Sequence, residues 1–184
     1  MKNIAILTLF LLNMACNAQS PIYTLGQSPI NKPKNSYLKD TNNILNKFAG
    51  TWKYSESGKV FTIILNKAEM VNLDDYYVDE LQGNFKYLIN NNIIANTTTP
   101  NFNGKNSRIF GFTLWDDPNK VTLFFYDPER PRMGARVTLT YSHVNGVEKL
   151  HWDLQLTGYR SSRDPNMNPA TDFRVPTVVV LVKQ

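Results

Sequence analysis

The chain has 184 residues, 42% of them hydrophobic, with 20 basic against 15 acidic side chains and a formal net charge of +5. That length suits one domain with a sizeable core, and a mild positive excess scattered among acidic residues lacks the basic stripe of a nucleic-acid binder. One cysteine and two histidines leave no intrachain disulfide and exclude most metal and thiol constellations by count.

The chain opens with Lys2, runs apolar from position 4 to 12, and then turns small and polar at Ala15, Cys16, Asn17 and Ala18. This order predicts a signal peptide over residues 1–18. The apolar run is about nine residues where a membrane-spanning helix needs ~20, and no later stretch compensates. No transmembrane segment is expected in the mature chain. Two processing routes stay open. Cleavage after Ala18 would start a soluble mature chain at Gln19. Cleavage before Cys16 would leave a lipidated cysteine as an outer-membrane anchor; Ala15 suits that route, whereas Asn13 stands where an aliphatic residue is preferred. The expected location is therefore periplasmic or secreted, with a lipoprotein anchored through Cys16 as the alternative.

Residues 19–39 are polar, carry Pro21, Pro29 and Pro33, and lack a period, so they read as a spacer. A domain over 40–184 follows. Asp40 and Thr41 are candidate N-caps ahead of Ile44, Leu45 and Phe48, a spacing that predicts a short N-terminal helix. The hydrophobic period then switches to two. Strands are expected over residues 51–54, 59–65, 76–80 running irregularly into 85–89, 93–97, 108–115, 121–126, 135–144, 147–157 and 177–182.

Asn145-Gly146 is the preferred pair for a two-residue type I′ hairpin. It sets Val144 opposite Val147 and Leu139 opposite Trp152. One face then carries Val137, Leu139 and Tyr141 with Leu150, Trp152, Leu154 and Leu156. The other carries Thr138, Thr140 and Ser142 with Lys149, His151, Asp153 and Gln155. Trp152 is thus a structural residue on a core-facing strand. Around Asp117 and Pro118 the apolar residues fall on both faces, and inside cannot be told from outside. The stretch 177–182 is too apolar for an open edge, so it is expected to pair with an early strand. The fold class is all-β: an antiparallel meander of eight or nine strands closing into a barrel.

A short helix ending at Phe48, then Gly50, Thr51 and Trp52 opening a strand ahead of a late-closing meander, resembles a lipocalin-type barrel. The resemblance implies structural roles for Gly50 and Trp52 at the closed end of the barrel. Thr171, Asp172 and Phe173 are similar to that family's Thr-Asp-Tyr element, although they come just before the last strand, and no basic residue occupies the family's stacking position, with Arg174 the nearest. The whole sequence is similar to an uncharacterised lipocalin-like family of exported Bacteroidota proteins. That resemblance implies fold and compartment, and no activity.

His143 and His151 have opposite parity in the hairpin, so they cannot share a metal, and no metal or cofactor is expected. His151 with Asp153 and Thr140 could be drawn as a base and its orienting carboxylate, but no nucleophile is marked by a strained turn; a solvated strand face is the simpler reading. Asp74 with Asp75, and Asp79 with Glu80, are adjacent pairs whose members point opposite ways in a strand. Two loops gather cations: Arg130 and Arg132 in the first, Arg160 and Arg163 in the second, which runs about fifteen residues without a period. Guanidinium groups from both could converge on a carboxylate, phosphate or sugar acid. The expectation is an exported, non-catalytic binding protein holding a small apolar or amphipathic ligand in the barrel or meeting an envelope partner. A carbohydrate or lipid hydrolase and a purely structural envelope protein are the alternatives.

Overall fold

Short runs of β-branched and aromatic residues, broken by turns that use left-handed Asn and Gly, pair into one continuous sheet. The computed structural model describes residues 20–27, 29–99, 104–159 and 170–184. In chain order the strands are β1 (Ile22–Thr24), β2 (Ser36–Lys39), β3 (Gly50–Glu56), β4 (Lys59–Asn72), β5 (Tyr76–Ile89), β6 (Asn92–Asn96), β7 (Ile109–Gly111), β8 (Lys120–Phe125), β9 (Met133–Val144), β10 (Val147–Tyr159) and β11 (Val178–Lys183). Eight of them, β3, β4, β5, β7, β8, β9, β10 and β11, form a closed antiparallel ring, which fits a lipocalin-like fold. The closing rungs set Val182 beside Lys53 and Lys183 beside Trp52.

β5 is the hub. Its one edge pairs with β4 over almost the whole length, while the other is shared in turn by β2, β7 and β6. Between them they cover residues 76–78, 81–83 and 86–89, which leaves little of this long strand as an open edge. The segment expected as a spacer is part of this arrangement: β2 runs parallel to β5 from Ser36 beside Tyr76 to Leu38 beside Val78, and β1 runs parallel to β2.

The expected N-terminal helix is corrected. The chain makes only a five-residue 3-10 turn, Ile44–Phe48. Asp40 caps it, one carboxylate oxygen accepting from the Ile44 amide at 2.8 Å and the other from the Leu45 amide at 2.9 Å. Residues three apart eclipse in such a turn, so Leu45 and Phe48 share the face that is fully buried. The turn stops there because Ala49 is already extended and Gly50, at φ 132°, swings the backbone into β3. The Lys183 side chain passes close over Gly50.

The β9–β10 hairpin has the register set by Asn145-Gly146, with Val144 opposite Val147 and Leu139 opposite Trp152. Leu156 departs from the alternation and is exposed, next to an irregularity between Leu156 and Gly158. The ambiguous β7–β8 pair resolves as well. Ile109, Val121, Leu123 and Phe125 face the core, while Phe110 and Phe124 stack on each other outside, 5.6 Å between centroids, under the Arg136 guanidinium.

Candidate functional site

The barrel interior is occupied by its own side chains. Phe61 meets Trp152 edge-on at 5.1 Å and Tyr87 at 5.9 Å, Phe125 meets Trp152 at 5.9 Å, and Phe85 stacks on Phe125 at 4.9 Å. Trp152 is fully buried, and its indole N–H donates to the Pro176 carbonyl at 2.9 Å. Trp52 fills the end beneath the 3-10 turn. Its indole N–H donates to the Phe48 carbonyl at 2.8 Å, Tyr141 meets it edge-on, and the Lys183 ammonium lies 5.3 Å from its ring. A ligand seated in the interior, as the sequence suggested, would have to displace this aromatic cluster.

At the opposite end, ion pairs tie described residues of several segments together. Arg174, just before β11, donates to both carboxylate oxygens of Asp127, to Glu129 at 2.8 Å, and to the Ile94 carbonyl of β6 at 3.1 Å. The Asp127 carboxylate, itself almost fully buried, holds the Arg174 guanidinium above its ordinary pKa. Arg130 grips Asp172 through Nη2 at 2.8 Å and Nε at 3.3 Å, and this bond holds the Asp172 carboxyl below the usual range. Asp172, near the start of the last strand, therefore meets the first arginine-bearing loop at this end of the barrel. Arg130 is paired and Arg132 is also engaged; Arg160 and Arg163 lie outside the described residues, as does Cys16. The sequence showed Arg174 only as the basic residue nearest a family position and gave it no partner, because its partners come from other segments.

Open space lies on the outer wall. The polar faces of β8, β9 and β10 line a groove of about 470 Å³ floored by Thr122, Thr138, Thr140 and Thr157. Arg136, Lys120, His151, Asp153 and Gln155 rim it, and Trp115 stands at one side. The indole is 49% exposed yet fixed: its N–H donates to the Thr122 hydroxyl at 3.0 Å, which shares a 2.8 Å hydrogen bond with Thr138, and the Lys120 ammonium lies 4.1 Å from the ring centre. Asp153 accepts from the Gln155 amide at 3.1 Å, and no bond joins it to His151 among the described contacts. A neighbouring hollow of about 300 Å³, lined by Phe110, Phe124 and Tyr126, shares Arg136 and Thr157 with the groove. Among the described residues no cluster of three or more His, Cys, Asp or Glu is arranged to hold a metal, and no helix is long and apolar enough to cross a membrane.

A family model matches residues 1–184, with the description "Family of unknown function". The chain belongs to DUF6705. No curated protein and no solved structure matches it.

The adjacent carboxylates of this DUF6705 chain take separate roles, as strand geometry requires. Asp75 pairs with Lys34 at 3.4 Å in solvent, beside Asp74 in a left-handed turn. Asp79 is fully buried. It accepts from the Tyr37 hydroxyl at 2.5 Å, the Asp40 amide at 2.9 Å and the Met70 amide at 3.2 Å. Met70 sits at positive φ where β4 bulges, which turns its amide out of the ladder. Lys67 in turn pairs with Asp40 at 3.1 Å. Glu80 faces the other side of β5 and has no part in this network. The Asp79 cluster holds β2, the bulge and the 3-10 turn together, so its work in the DUF6705 barrel is structural.

Proposed function

We propose that this protein is an exported, non-catalytic binding protein that carries its ligand on the outside of a filled barrel, in the groove over β8, β9 and β10. The observation that carries this reading is the contrast between the two sides of the wall. Aromatic side chains occupy the interior, while about 470 Å³ stands open outside between a fixed, half-exposed Trp115 and a rim of hydrogen-bonding side chains. That volume lies within the usual range for a small-molecule site.

The lining selects the ligand class. An indole face suits an apolar C–H surface, and threonine hydroxyls, an amide, an imidazole and a carboxylate supply both donors and acceptors, which a polyhydroxyl compound matches. Lys120 and Arg136 outnumber Asp153, in a chain of net charge +5, so an acidic saccharide is favoured over a neutral one. Binding without hydrolysis is supported by the same lining, since glycoside cleavage uses a pair of carboxylates and Asp153 is the one carboxylate among the described lining residues.

The test is calorimetric titration with oligogalacturonate and, for comparison, a neutral cello-oligosaccharide. Expected is preferential binding of the acidic chain, weakened by salt, and lost in Trp115→Ala with the melting temperature unchanged. Binding unaffected by Trp115→Ala, or release of new reducing ends during incubation, would overturn the reading. Export rests on the order of charged, apolar and small residues over positions 1–18. Its test is fractionation with palmitate labelling of wild type and Cys16→Ser. Unlabelled protein in the soluble exported fraction for both is expected; membrane attachment lost on substitution would assign the lipoprotein route, and retention in the cytoplasm would overturn export.

A further inference from the structure

β5 turns Glu80, Gln82 and Asn84 to the outside of the barrel, where alternation would expose them, yet they are only 7%, 8% and 3% exposed. Residues 104–108, just before β7, pack over this face. Gly104 lies so close to the Gln82 amide that a Cβ there would stand 2.5 Å from its oxygen, and the Arg108 amide donates to the Gly83 carbonyl at 2.8 Å. Between this cover and β4 lies a cavity of about 630 Å³ that opens broadly to solvent, bounded by Val71, Asn72, Glu80, Gln82, Ser107 and Phe110, with Gly104 and Lys105 also on its wall.

Two features of this cavity are costly for the folded protein alone. Glu80 has one neutral partner, the Gln82 amide at 2.9 Å, and no ion pair among the described residues, so burial pushes its carboxyl above the usual carboxylate range. The hydroxyl of Ser107, a residue only 7% exposed, has no hydrogen-bond partner. A buried polar group left unpaired is destabilising, and natural proteins keep few of them. Lys105 does not relieve Glu80: its side chain is exposed and forms no ion pair among the described residues.

We propose that this cavity is a binding site for a small organic amine, its ammonium group held by the Glu80 carboxylate and the Ser107 hydroxyl and its apolar body lying on Val71 and Phe110. An ammonium brings the positive charge that Glu80 lacks and has three N–H donors, enough for Glu80, Ser107 and the Asn72 side-chain carbonyl together. An anion would meet a carboxylate with no cation paired to it. A neutral ligand would leave Glu80 either uncompensated or protonated. The site is distinct from the groove at Trp115, and shares no lining residue with it.

The probe is benzylamine, with benzyl alcohol as the neutral comparator of the same shape, each titrated into the whole protein and followed by chemical-shift changes and calorimetry. Expected is saturable binding of benzylamine at least about tenfold tighter than benzyl alcohol, a difference of about 1.4 kcal/mol. Glu80→Gln should abolish that preference without lowering the melting temperature, and Ser107→Ala should weaken benzylamine severalfold. Trp115→Ala should leave benzylamine binding untouched, so this site and the saccharide groove stand or fall separately. Equal binding of amine and alcohol, binding of neither, or a preference that survives Glu80→Gln would each overturn the proposal.

Discussion

Trp52 fills the end of the barrel beneath the 3-10 turn: it is fully buried, bonded to the Phe48 carbonyl, and covered by Tyr141 and Lys183. Truncation to Ala should cost ~3–5 kcal/mol, the usual penalty for emptying a buried aromatic site, read by a thermal melt beside the surface control Lys149→Ala. A shift no larger than the control's would refute its structural role. Gly50 followed by Trp52 made this residue legible in the sequence. Tyr37 was not legible, because its partner Asp79 comes from another strand and its own segment has no period. Burial, and then the bond to Asp79, push the Tyr37 phenol far above its ordinary value. A raised pKa means that the folded protein holds this proton more tightly than the unfolded chain does. The stabilisation is therefore complete below the ordinary tyrosine pKa of about 10 and is lost as pH rises beyond it. Tyr37→Phe should lower stability at neutral pH by about 1–3 kcal/mol, since Asp79 loses a donor. It should also flatten the alkaline fall of stability above about pH 10. Denaturant melts at neutral and alkaline pH check both; an alkaline limb as steep as that of the wild type would assign it to other groups.

At the level of elements, reading succeeded where the information is local. Asn145-Gly146 adopts positive φ at both residues, and a two-residue turn with a one-sided hydrophobic pattern leaves one register. β7 and β8 were opaque because the Phe110–Phe124 stack lies outside under Arg136, so both faces look like core. β1 and β2 were missed because strands of three and four residues acquire meaning only beside β5. Arg130 was visible as loop charge, but its pairing with Asp172 was not, and neither was that of Arg174 with Asp127, since ion pairs between distant segments leave no spacing. Two glycines separate strain from collision. At Gly146, φ is 76° and a Cβ would touch nothing, so Gly146→Val should cost about 1–2 kcal/mol from backbone strain alone and Gly146→Asn much less. At Gly83 a Cβ would stand 2.2 Å from the Ile64 carbonyl oxygen, and Gly83→Ala should cost about 3 kcal/mol or more. Chemical denaturation of the three variants tests the ranking; a Gly146→Val cost equal to that of Gly83→Ala would contradict it.

For the whole molecule, a filled barrel leaves its open space on the wall and not in the lumen. The interior then has one task, stability, which in a domain without a disulfide depends on the packing around Trp52 and Trp152. The outer face is free to vary in chemistry without disturbing that packing. The ring also has a seam, the rungs between β3 and β11. Those strands lie far apart along the sequence, so β4 to β10 can form hairpin by hairpin, each neighbour at hand, while the last joint waits on the largest loop in the chain. Folding speed falls as such distant pairings dominate. Until the joint forms, β3 and β11 are both open edges, and β11 presents Val178, Val180 and Val182, which stay partly exposed even in the finished barrel. The interval before closure, more than the finished state, is when this protein is open to association with other copies of itself.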